Sequence, residues 1–586
     1  MDFNRTSVCR ENILSQEIYD YITDFPVSEF EGAGESFCYT NIEDLYNIVY
    51  ISRAGLTGLR RDLFEYRSTP KLYGLCPIEG SGAGNGFRPD ALIATGSLQI
   101  QGAPLNLTGR GCVLCIIGTG IDYTLDVFRD VTGRSRILAI WDQTIQTGTP
   151  PEGFLYGSEY TREEIDRALL SEDPYGIVPS RDEIGHGTIM ASAAAGSILT
   201  GEQAFSGAAP EAFIVVVKCK PCKDYLRNLY LVPEGVTAYQ ENDLMLAVQY
   251  AESFVRNFYR PVTVCMGVGT NLGDHTGASA LGEYLDTVAL RRSRAIVVAG
   301  GDEGNAAHHY RGRLKSDLNA LSADIVNEGN VEVRVAEGCK GFVLECWGKL
   351  PDTLQVGLRS PGGERIPPVR MRNQTGFTYR LIYESSVITM DSVLVEPVSG
   401  DQLIRFRISD PTPGIWTFLV EPQGPVYNGI FDMWLPVTQF LTAPVYFLKP
   451  DPYITLTEPA YAERVITVTD YDPLNQSFSV RSGRGFSRNG IIRPDLAAPG
   501  VQVPAVSDRR AENFNGSALG AALTAGAVTQ LFQWTVVETR SFYAETQEIK
   551  SYLIRGAGRV PEVTYPTREW GYGRLNLEGT FNALTI

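Results

Sequence analysis

The stretch NFNGSALGAALTAG, residues 513–526, reads as a turn that leads into a helix of small side chains. A serine at the N-terminal end of such a helix is one of the places where hydrolases hold a nucleophile. Ser517 is the serine in question, and the fold and activity of the chain depend on whether it stands at the correct position.

The apolar run that continues this helix, residues 520–537, is interrupted by Thr524, Thr529, Gln530 and Gln533. A membrane span needs about 20 consecutive apolar residues. No run in the sequence reaches that length, so we predict a buried core helix here and no membrane span.

The composition is that of a globular protein, with 44% hydrophobic and 20% charged residues among 586. This length predicts more than one domain, because single cores stop growing near about 250–300 residues. The net charge of −17 argues against a nucleic-acid or anionic-membrane surface. The first residues, MDFNRTSVCRENILSQEIYDY, have no apolar signal core, which predicts synthesis in the cytoplasm.

The chain has ten cysteines, and without an export signal they are predicted to be reduced. Cys219 and Cys222 have the spacing of a redox or half-zinc motif. A second ligand pair is missing and there are only four histidines, so two thiols at a strand end and in a loop are the favoured interpretation. The sequence gives no reason to expect a metal or a cofactor.

Apolar runs alternate with helical patterns after residue 95, which predicts an α/β domain with a parallel sheet covered on both faces. The strand-like runs are CVLCIIG, ILAIWD, FIVVVKC, VTVCMGVG and AIVVAGG. The helical patterns include MASAAAGSI, ENDLMLAVQYAESFVRNF and GEYLDTVALRRS.

Two other regions have a different pattern. Residues 1–95 mix short helix and strand signals, and their last part, the Gly-rich segment 78–96, is predicted to be an exposed linker. Residues 328–449 hold short β-rich runs between Gly, Pro and Asp turns, which predicts an inserted β-sandwich or jelly roll. The α/β domain would then consist of residues 96–327 and 450–586.

GHGTIMASAAAG, residues 185–196, places His186 at the start of a small-residue helix, where an accessible imidazole could act as a general base. A lone histidine is more often structural. Here it lies between CIIGTGID, residues 115–122, and the pair PDLAAPGVQV, residues 494–503, and NGSALGAALTAG. This order resembles the Asp, His, Ser order of the subtilisin-like serine proteases, the subtilases, over residues 103–586.

Within the subtilases, several stretches are similar to the Csp germination subtilases of spore-forming clostridia. They are RILAIWDQTIQTGTPPEGFLYGSEYTREEIDRAL, SRDEIGHGT, VVVKCKPCKDYLRNLYLVPEGVTAYQENDLMLAVQYA and SRNGIIRPDLAAPGV. The resemblance implies a subtilisin-like parallel sheet core, a retained N-terminal α+β prodomain over residues 1–95 and an inserted jelly roll. Active members of that group cleave the zymogen of a spore cortex-lytic hydrolase. Some members have lost catalytic residues and act as pseudoproteases in germinant sensing or protease regulation.

The resemblance assigns the catalytic positions one by one. His186 matches the family histidine, while the aspartate position is Gly118, and Asp122 beyond the turn belongs to a separate family position. A glycine cannot orient an imidazole. Reading GTG as a dinucleotide-binding loop is weak, because the third glycine of that fingerprint is absent.

The oxyanion-hole asparagine lies in a family stretch that is AGGDEGN here, with Asp302 at the asparagine position. An amide donates a hydrogen bond to the developing oxyanion, whereas an ionised carboxylate only accepts and repels it. The family pattern at the serine is Gly-Thr-Ser, with a glycine eight residues after the serine. Counting back from Gly526 gives Ala518, so Ser517 takes the threonine position, about 100° away on the helix.

In subtilisin, loss of the serine lowers turnover by about 2 × 10⁶ and loss of the aspartate by about 3 × 10⁴. With Gly118, Asp302 and Ala518 together, we expect no useful proteolysis. The resemblance then implies a pseudoprotease that regulates spore germination, by sensing a germinant such as a bile salt or an amino acid, or by controlling a partner. The partner would be another Csp-type subtilase or a cortex-hydrolase zymogen, in the coat or cortex region of the spore.

Two alternatives remain open. One is an active protease that uses Ser517 with His186 on a cortex-hydrolase zymogen, and the other is a structural spore protein. A further hypothesis is a metal site at His275, His308 and His309; solvated loop histidines are the favoured interpretation of these residues.

Overall fold

The structure is a computed structural model that describes residues 3–43, 45–59, 66–81, 89–201, 204–315, 328–369, 374–508, 510–540 and 544–584. The α-helices are α1 Phe3–Leu14, α2 Asp90–Thr95, α3 Ser97–Gln101, α4 Arg162–Leu169, α5 Pro174–Ile177, α6 His186–Ala195, α7 Asp224–Leu229, α8 Glu241–Phe258, α9 Ala280–Ala289, α10 Ser517–Phe532, α11 Thr546–Gly556 and α12 Leu577–Leu584. Short 3-10 segments occur at Val27–Ser36, Gly55–Gly58, Asp126–Phe128 and Thr438–Phe440, and a π-helical turn, Gln533–Glu538, extends α10.

The strands of the first half are β1 Ile18–Thr23, β2 Cys38–Ile42, β3 Tyr46–Ser52, β4 Leu72–Leu75, β5 Glu79–Gly80, β6 Val113–Gly118, β7 Ile137–Asp142, β8 Ser158–Thr161, β9 Phe213–Lys218, β10 Tyr239–Gln240, β11 Val262–Met266, β12 Val268–Gly269, β13 Arg294–Ala299 and β14 His309–Arg313. Those of the second half are β15 Asn330–Val335, β16 Gly341–Gly348, β17 Leu354–Arg359, β18 Arg365–Val369, β19 Gln374–Arg380, β20 Val387–Val393, β21 Gln402–Ser409, β22 Gly414–Pro422, β23 Ile430–Trp434, β24 Val445–Phe447, β25 Ile466–Tyr471, β26 Leu496–Pro499, β27 Val503–Ser507 and β28 Arg510–Asn515.

The centre of the molecule is an eight-stranded sheet in the order β26-β25-β13-β11-β6-β9-β7-β8. All neighbours in it are parallel except β7 and β8. Each of the five apolar runs read from the sequence supplies one of its parallel strands. The α/β, subtilisin-like fold class expected from the sequence is therefore the fold observed.

Helices cover both faces of this sheet, which is why its parallel strands are buried on both faces and mostly apolar at consecutive positions. Leu114 and Ile116 of β6 point into a core formed with α6 and α10. Their neighbours Val113, Cys115 and Ile117 point into a second core formed with α8 and α9. The helix α10 is buried along its whole length, as the small side chains of residues 517–532 predict.

The β-rich region forms two facing antiparallel sheets, in the orders β14-β23-β16-β21-β20-β19 and β18-β17-β22-β15-β24. Alternate residues of β15 are buried and exposed, as a strand with one face on a core requires. The β-rich segment read from the sequence thus forms a sandwich, which β14 joins from before residue 328. Residues 316–327, just before that predicted boundary, lie outside the described residues.

The N-terminal region packs α1 against a small sheet in the order β1-β3-β2. Cys9 of α1 and Cys38 of β2 form a disulfide, with Cα atoms 5.4 Å apart. The prediction that all cysteines are reduced is wrong at this pair, because a separation of 29 residues in sequence does not reveal that the helix lies beside the strand. Every other cysteine is a buried free thiol, Cys219 and Cys222 included.

The expectation that the segment 78–96 is an exposed linker is wrong at its C-terminal end, where α2 is buried, whereas Glu79 and Gly80 are exposed but belong to a sheet. Glu79 and Gly80 pair with β28, and α2 buries Ala91 and Leu92 in the core. Glycines in the sequence suggested a loop, but each end of the segment finds an apolar or strand partner. The middle, residues 82–88, lies outside the described residues.

No helix in the described part of the chain is long and apolar enough to cross a membrane.

Candidate active site

His186 is the first residue of α6 and is 5% exposed. The residue after it, Gly187, contacts the turn that follows β6: its backbone amide donates to Thr119 Oγ1 at 2.8 Å. A side chain at Gly187 would lie 2.2 Å from the Gly120 carbonyl oxygen, so only glycine permits this approach. The sequence therefore brings the histidine helix directly onto the turn that follows Gly118.

Gly118, the last residue of β6, leaves room where a family aspartate would stand. A Cβ atom at this position would meet nothing within 4 Å. On the imidazole, Nδ1 of His186 is buried and has no hydrogen-bond partner in the described structure. The ring thus lacks the carboxylate that would orient it.

The other ring nitrogen, Nε2 of His186, lies 2.8 Å from the carbonyl oxygen of Cys76. A carbonyl oxygen only accepts hydrogen bonds, so Nε2 must carry the proton. Burial lowers the pKa of His186, an effect that the Cys76 hydrogen bond opposes. In this neutral form the nitrogen that would take a proton from a nucleophile already holds one.

Ala518 lies on the second residue of α10 and is fully buried. A Cβ atom at Gly267 would lie 2.7 Å from the Met190 sulfur and 3.1 Å from the Ala518 Cβ, so α6 and α10 meet at Gly267. Met190 is one turn after His186 and shares its side of α6. The position that faces the histidine helix at this junction therefore carries a methyl group.

Ser517 is turned toward another residue. Its hydroxyl donates to Asp302 Oδ2 at 2.6 Å, and its backbone amide donates to Asp302 Oδ1 at 3.2 Å. Asp302 thus caps the start of α10, and the Ser517 hydroxyl is bound to this carboxyl group rather than to His186.

Asp302 is buried, and burial raises its pKa to about 7, with a further upward contribution from the Asp470 carboxylate. The hydrogen bond from Ser517 and the guanidinium of Arg481, 3.8 Å away, act in the opposite direction. The sequence predicted an ionised carboxylate here. The raised pKa means that protonated and ionised forms coexist near neutral pH.

A segment of the chain itself passes beside this site. Strand β4 lies between β10 and β12 and is antiparallel to both. The amide of Cys76, the next residue, donates to the Gly267 carbonyl at 2.8 Å. We name residues 72–81 the tail. Its Cys76 carbonyl is the group that His186 contacts, so the tail passes directly beside the candidate catalytic position.

Beyond Cys76 the tail continues across the start of α10. A side chain at Gly516 would lie 2.2 Å from the Pro77 carbonyl oxygen, and Gly516 has φ +155°, so a glycine is required there. Glu79 then pairs with Asn515 and forms an ion pair with Arg481 at 2.6 Å. From the sandwich, Gln439 donates to the Leu75 carbonyl at 2.7 Å.

Sequence reasoning did not identify Cys76 as a residue of the site. Burial raises the pKa of its thiol well above the ordinary value, and Asp302 raises it further. The signal available in the sequence was the run KLYGLCP, a strand pattern ending at a proline directly before the predicted linker.

The three other histidines are buried, so the expectation of solvated loop residues is wrong. His275 and His309 stack on Trp434, with ring centroids 3.9 and 4.6 Å away. His308 Nδ1 lies 2.6 Å from Glu303. Trp434 and other residues of the sandwich cover the three histidines. The polar sequence around these residues did not indicate that the sandwich packs over them. The described residues contain no group of three or more His, Cys, Asp or Glu that could hold a metal ion.

The profile described as "Subtilase family" matches residues 453–573. The solved structure of the Clostridium perfringens CspB protease is 30% identical, with a TM-score of 0.73, and the match covers 85% of this chain and 98% of that one. A structure of MycP1 without its N-terminal propeptide is 13% identical, with a TM-score of 0.38, over 84% of this chain and 96% of that one. No curated protein sequence matches the chain.

Proposed function

Because this chain belongs to the Csp-type subtilase family, we propose that it is a catalytically inactive member that regulates spore germination. The observation that carries the proposal is the hydrogen bond from Ser517 to Asp302, next to a methyl group at Ala518. The only hydroxyl at the start of α10 is engaged by a carboxylate and not by the imidazole of His186.

The chemistry of acyl transfer is missing at three places. The start of α10 presents no free hydroxyl to His186, whose Nε2 hydrogen is held by the Cys76 carbonyl. Within the described residues, Nδ1 of His186 has no hydrogen-bond partner that would orient the ring. Asp302, whose two oxygens accept hydrogen bonds from Ser517, stands where an oxyanion needs a donor, and loss of one such donor alone lowers turnover about 10²–10³-fold. These losses are not additive, but each removes a separate requirement of the reaction.

The role that remains is binding. We propose that the chain acts on a partner, either another Csp-type subtilase or the zymogen of a cortex hydrolase, or that it senses a small-molecule germinant. The proposed division into prodomain 1–95, core 96–327 and 450–586, and inserted sandwich 328–449 gives it three surfaces for these contacts. The proposed location is the coat or cortex region of the spore.

Hydrolysis assays with peptide substrates test the proposal directly. The purified chain and its Ala518→Ser variant are expected to be inactive, because the imidazole stays unoriented and Asp302 stays in place. The combined variant Gly118→Asp, Asp302→Asn, Ala518→Ser is the matched positive control, since Gly118 has room for the new side chain. Turnover by the unmodified chain, or fluorophosphonate labelling of Ser517, would refute inactivity.

The regulatory part needs a second experiment. Affinity capture from spores is expected to recover a subtilase or a cortex hydrolase with the chain. Deletion is expected to block or mistime germination. A deletion that alters only the spore layers would favour a structural protein instead.

A further inference from the structure

The N-terminal edge of the parallel sheet carries a group of exposed apolar side chains. The strand β6 has six residues, so this edge lies about 20 Å from Gly118 at about 3.3 Å per residue. Tyr259 is 88% exposed, and Phe258, Leu290 and Val537 are exposed on the same edge. These side chains take no part in the geometry around the histidine. A contiguous apolar surface of this kind marks an interaction site.

Close contacts join these residues into one surface. Arg260 Nη1 donates to the Gly111 carbonyl at 3.0 Å, and a Cβ atom at Gly111 would lie 3.1 Å from a methyl carbon of Val537. The Val262 amide donates to the Ser293 carbonyl at 2.9 Å, which places the segment after α9 beside the segment after α8. We give the name end face to the residues joined in this way, 258–260, 290–293 and 537.

Tyr259 has an unusual backbone conformation within the end face. It follows α8 as the C-cap residue with φ +52°, in the left-handed region that favours glycine. A tyrosine in this conformation costs free energy, and its exposed ring contributes little packing to the monomer. Tyrosine, tryptophan and arginine are the residues most enriched at the energetic centres of protein interfaces. The ring is therefore positioned for a contact outside the chain.

The arginines of the end face give it a positive charge in an acidic protein. Residues 256–260 and 290–294 contain five arginines and no acidic residue, whereas the whole chain has a charge of −17. Three of these arginines pair with Glu43 and Glu252. Five cations thus meet two carboxylates. A partner surface with an apolar centre and an acidic rim complements such a face.

The chain itself carries a surface of that description at residues 170–177, directly after α4. Leu170 is 91% exposed, and Ile177 is exposed at the end of α5. Between them, Glu172 and Asp173 are exposed. The Asp173 carboxylate accepts a backbone amide of α5 at 3.1 Å, which fixes it at the surface. We name residues 170–177 the acidic face.

We infer that the chain associates with a second copy of itself, with the end face of one copy against the acidic face of the other. The apolar side chains form the centre of the contact, and the arginines and carboxylates form its rim. Both copies carry a charge of −17. At an ionic strength of about 0.15 M, charges are screened beyond about 8 Å, so the opposite charges in contact outweigh the long-range repulsion.

This association does not depend on the loss of catalysis. Hydrolysis of peptides by the chain would refute the proposed function and leave the inference standing, and a monomeric chain would refute the inference alone.

Sedimentation equilibrium of the full chain tests the inference. Between about 1 and about 100 µM the apparent mass should rise above 64.4 kDa, with a dissociation constant on the order of 10 µM. Arg292→Glu and Glu172→Arg should each weaken association about tenfold. An equimolar mixture of the two variants should recover it to within about threefold, because the unmodified end face of one variant meets the unmodified acidic face of the other.

Tyr259→Gly separates association from folding. Glycine relieves the left-handed conformation, so the thermal unfolding midpoint should stay the same or rise, while association weakens by about tenfold or more. Tyr383→Ala and Lys449→Glu replace exposed residues on the sandwich and are the matched controls, which should leave association unchanged.

Three results would overturn the inference. One is a mass of 64.4 kDa at every concentration, and another is a mixture of Arg292→Glu and Glu172→Arg that associates no better than either variant alone. The third is a monomeric chain that binds vesicles of phosphatidylserine and phosphatidylcholine and loses this binding in Tyr259→Gly, because the end face would then fit a membrane surface.

Discussion

Lys223 ties the N-terminal region to the core through a buried ion pair, and its replacement by methionine should release that region. Its Nζ donates to Asp20 Oδ1 at 2.6 Å and to the carbonyls of Asn12 and Ile18 at 3.1 Å each. The side chains of Lys223 and Asp20 are 2% and 0% exposed. Methionine has a similar volume, so the variant removes the charge and the three bonds with little change in packing.

The size of the destabilisation by Lys223→Met depends on the partners that Asp20 keeps. Asp20 Oδ2 still accepts from Gln240 at 2.6 Å and Asn242 at 3.3 Å, but the carboxylate loses its only ion-pair partner in the described structure. Breaking one side of a buried pair costs about 3–5 kcal/mol. The remaining amide donors place the expected loss near the lower end, about 3 kcal/mol.

Urea unfolding measured by circular dichroism gives the loss in the global free energy of unfolding. Hydrogen exchange over residues 12–23 gives the loss in the free energy of local opening. We expect exchange in this segment to accelerate by about two orders of magnitude while the parallel sheet stays protected. Arg110→Met is the control, since Arg110 is 75% exposed in its pair with Glu211 and should cost less than about 1 kcal/mol.

The double variant Lys223→Met, Asp20→Asn completes a cycle that isolates the coupling between the two charges. A loss below about 1 kcal/mol for Lys223→Met, or additive effects in the cycle, would refute the claim that this pair holds the N-terminal region.

Burial raises the pKa of Asp302 to about 7, so its contribution to stability is present below pH 4 and is lost as the pH rises through 7. Asp302→Asn should therefore reduce the loss of unfolding free energy between pH 5 and pH 8 by on the order of 2–3 kcal/mol, measured by urea unfolding. The same pH dependence of the unfolding free energy in the variant and the unmodified chain would contradict this. Gly516→Ala places a Cβ against the Pro77 carbonyl and should raise hydrogen exchange in residues 72–81, whereas Gly80→Ala, with nothing within 4 Å, should not. The recombinant chain should remain a single species of 64.4 kDa in intact-mass measurements, because Ala518 supplies no hydroxyl that could cleave the chain after the N-terminal region. A species beginning near residue 96 would reopen the case for activity.

The parallel sheet could be predicted because its strands are buried on both faces and are apolar at consecutive positions. The helix α8 was read over the same residues that it occupies, 241–258, because a long amphipathic period is a strong signal. The disulfide and the packing of the segment 78–96 could not be predicted. Both depend on contacts between residues far apart in sequence, and glycine content suggested only a loop.

At the site, counting back from Gly526 placed Ser517 one position before Ala518, and the resemblance identified the empty place at Gly118. Neither could show where Ser517 donates its hydrogen bond. That contact depends on Asp302, 215 residues away, and on burial that raises its pKa. The individual residues that pass beside the site could not be identified, because short strands such as β4 have no periodicity to read.

The pairing of Gly80 with Phe514 can form only late in translation, because the two residues are far apart in sequence. The partner residue leaves the ribosome 434 residues after the tail does, which takes about 20–90 s at translation rates of about 5–20 residues per second. During that interval β4 can find β10 and β12, whose residues appear much earlier. The tail is therefore fixed in stages from its N-terminal end, and a nascent chain that stalls before residue 514 carries a tail whose final residues lack their strand partner β28.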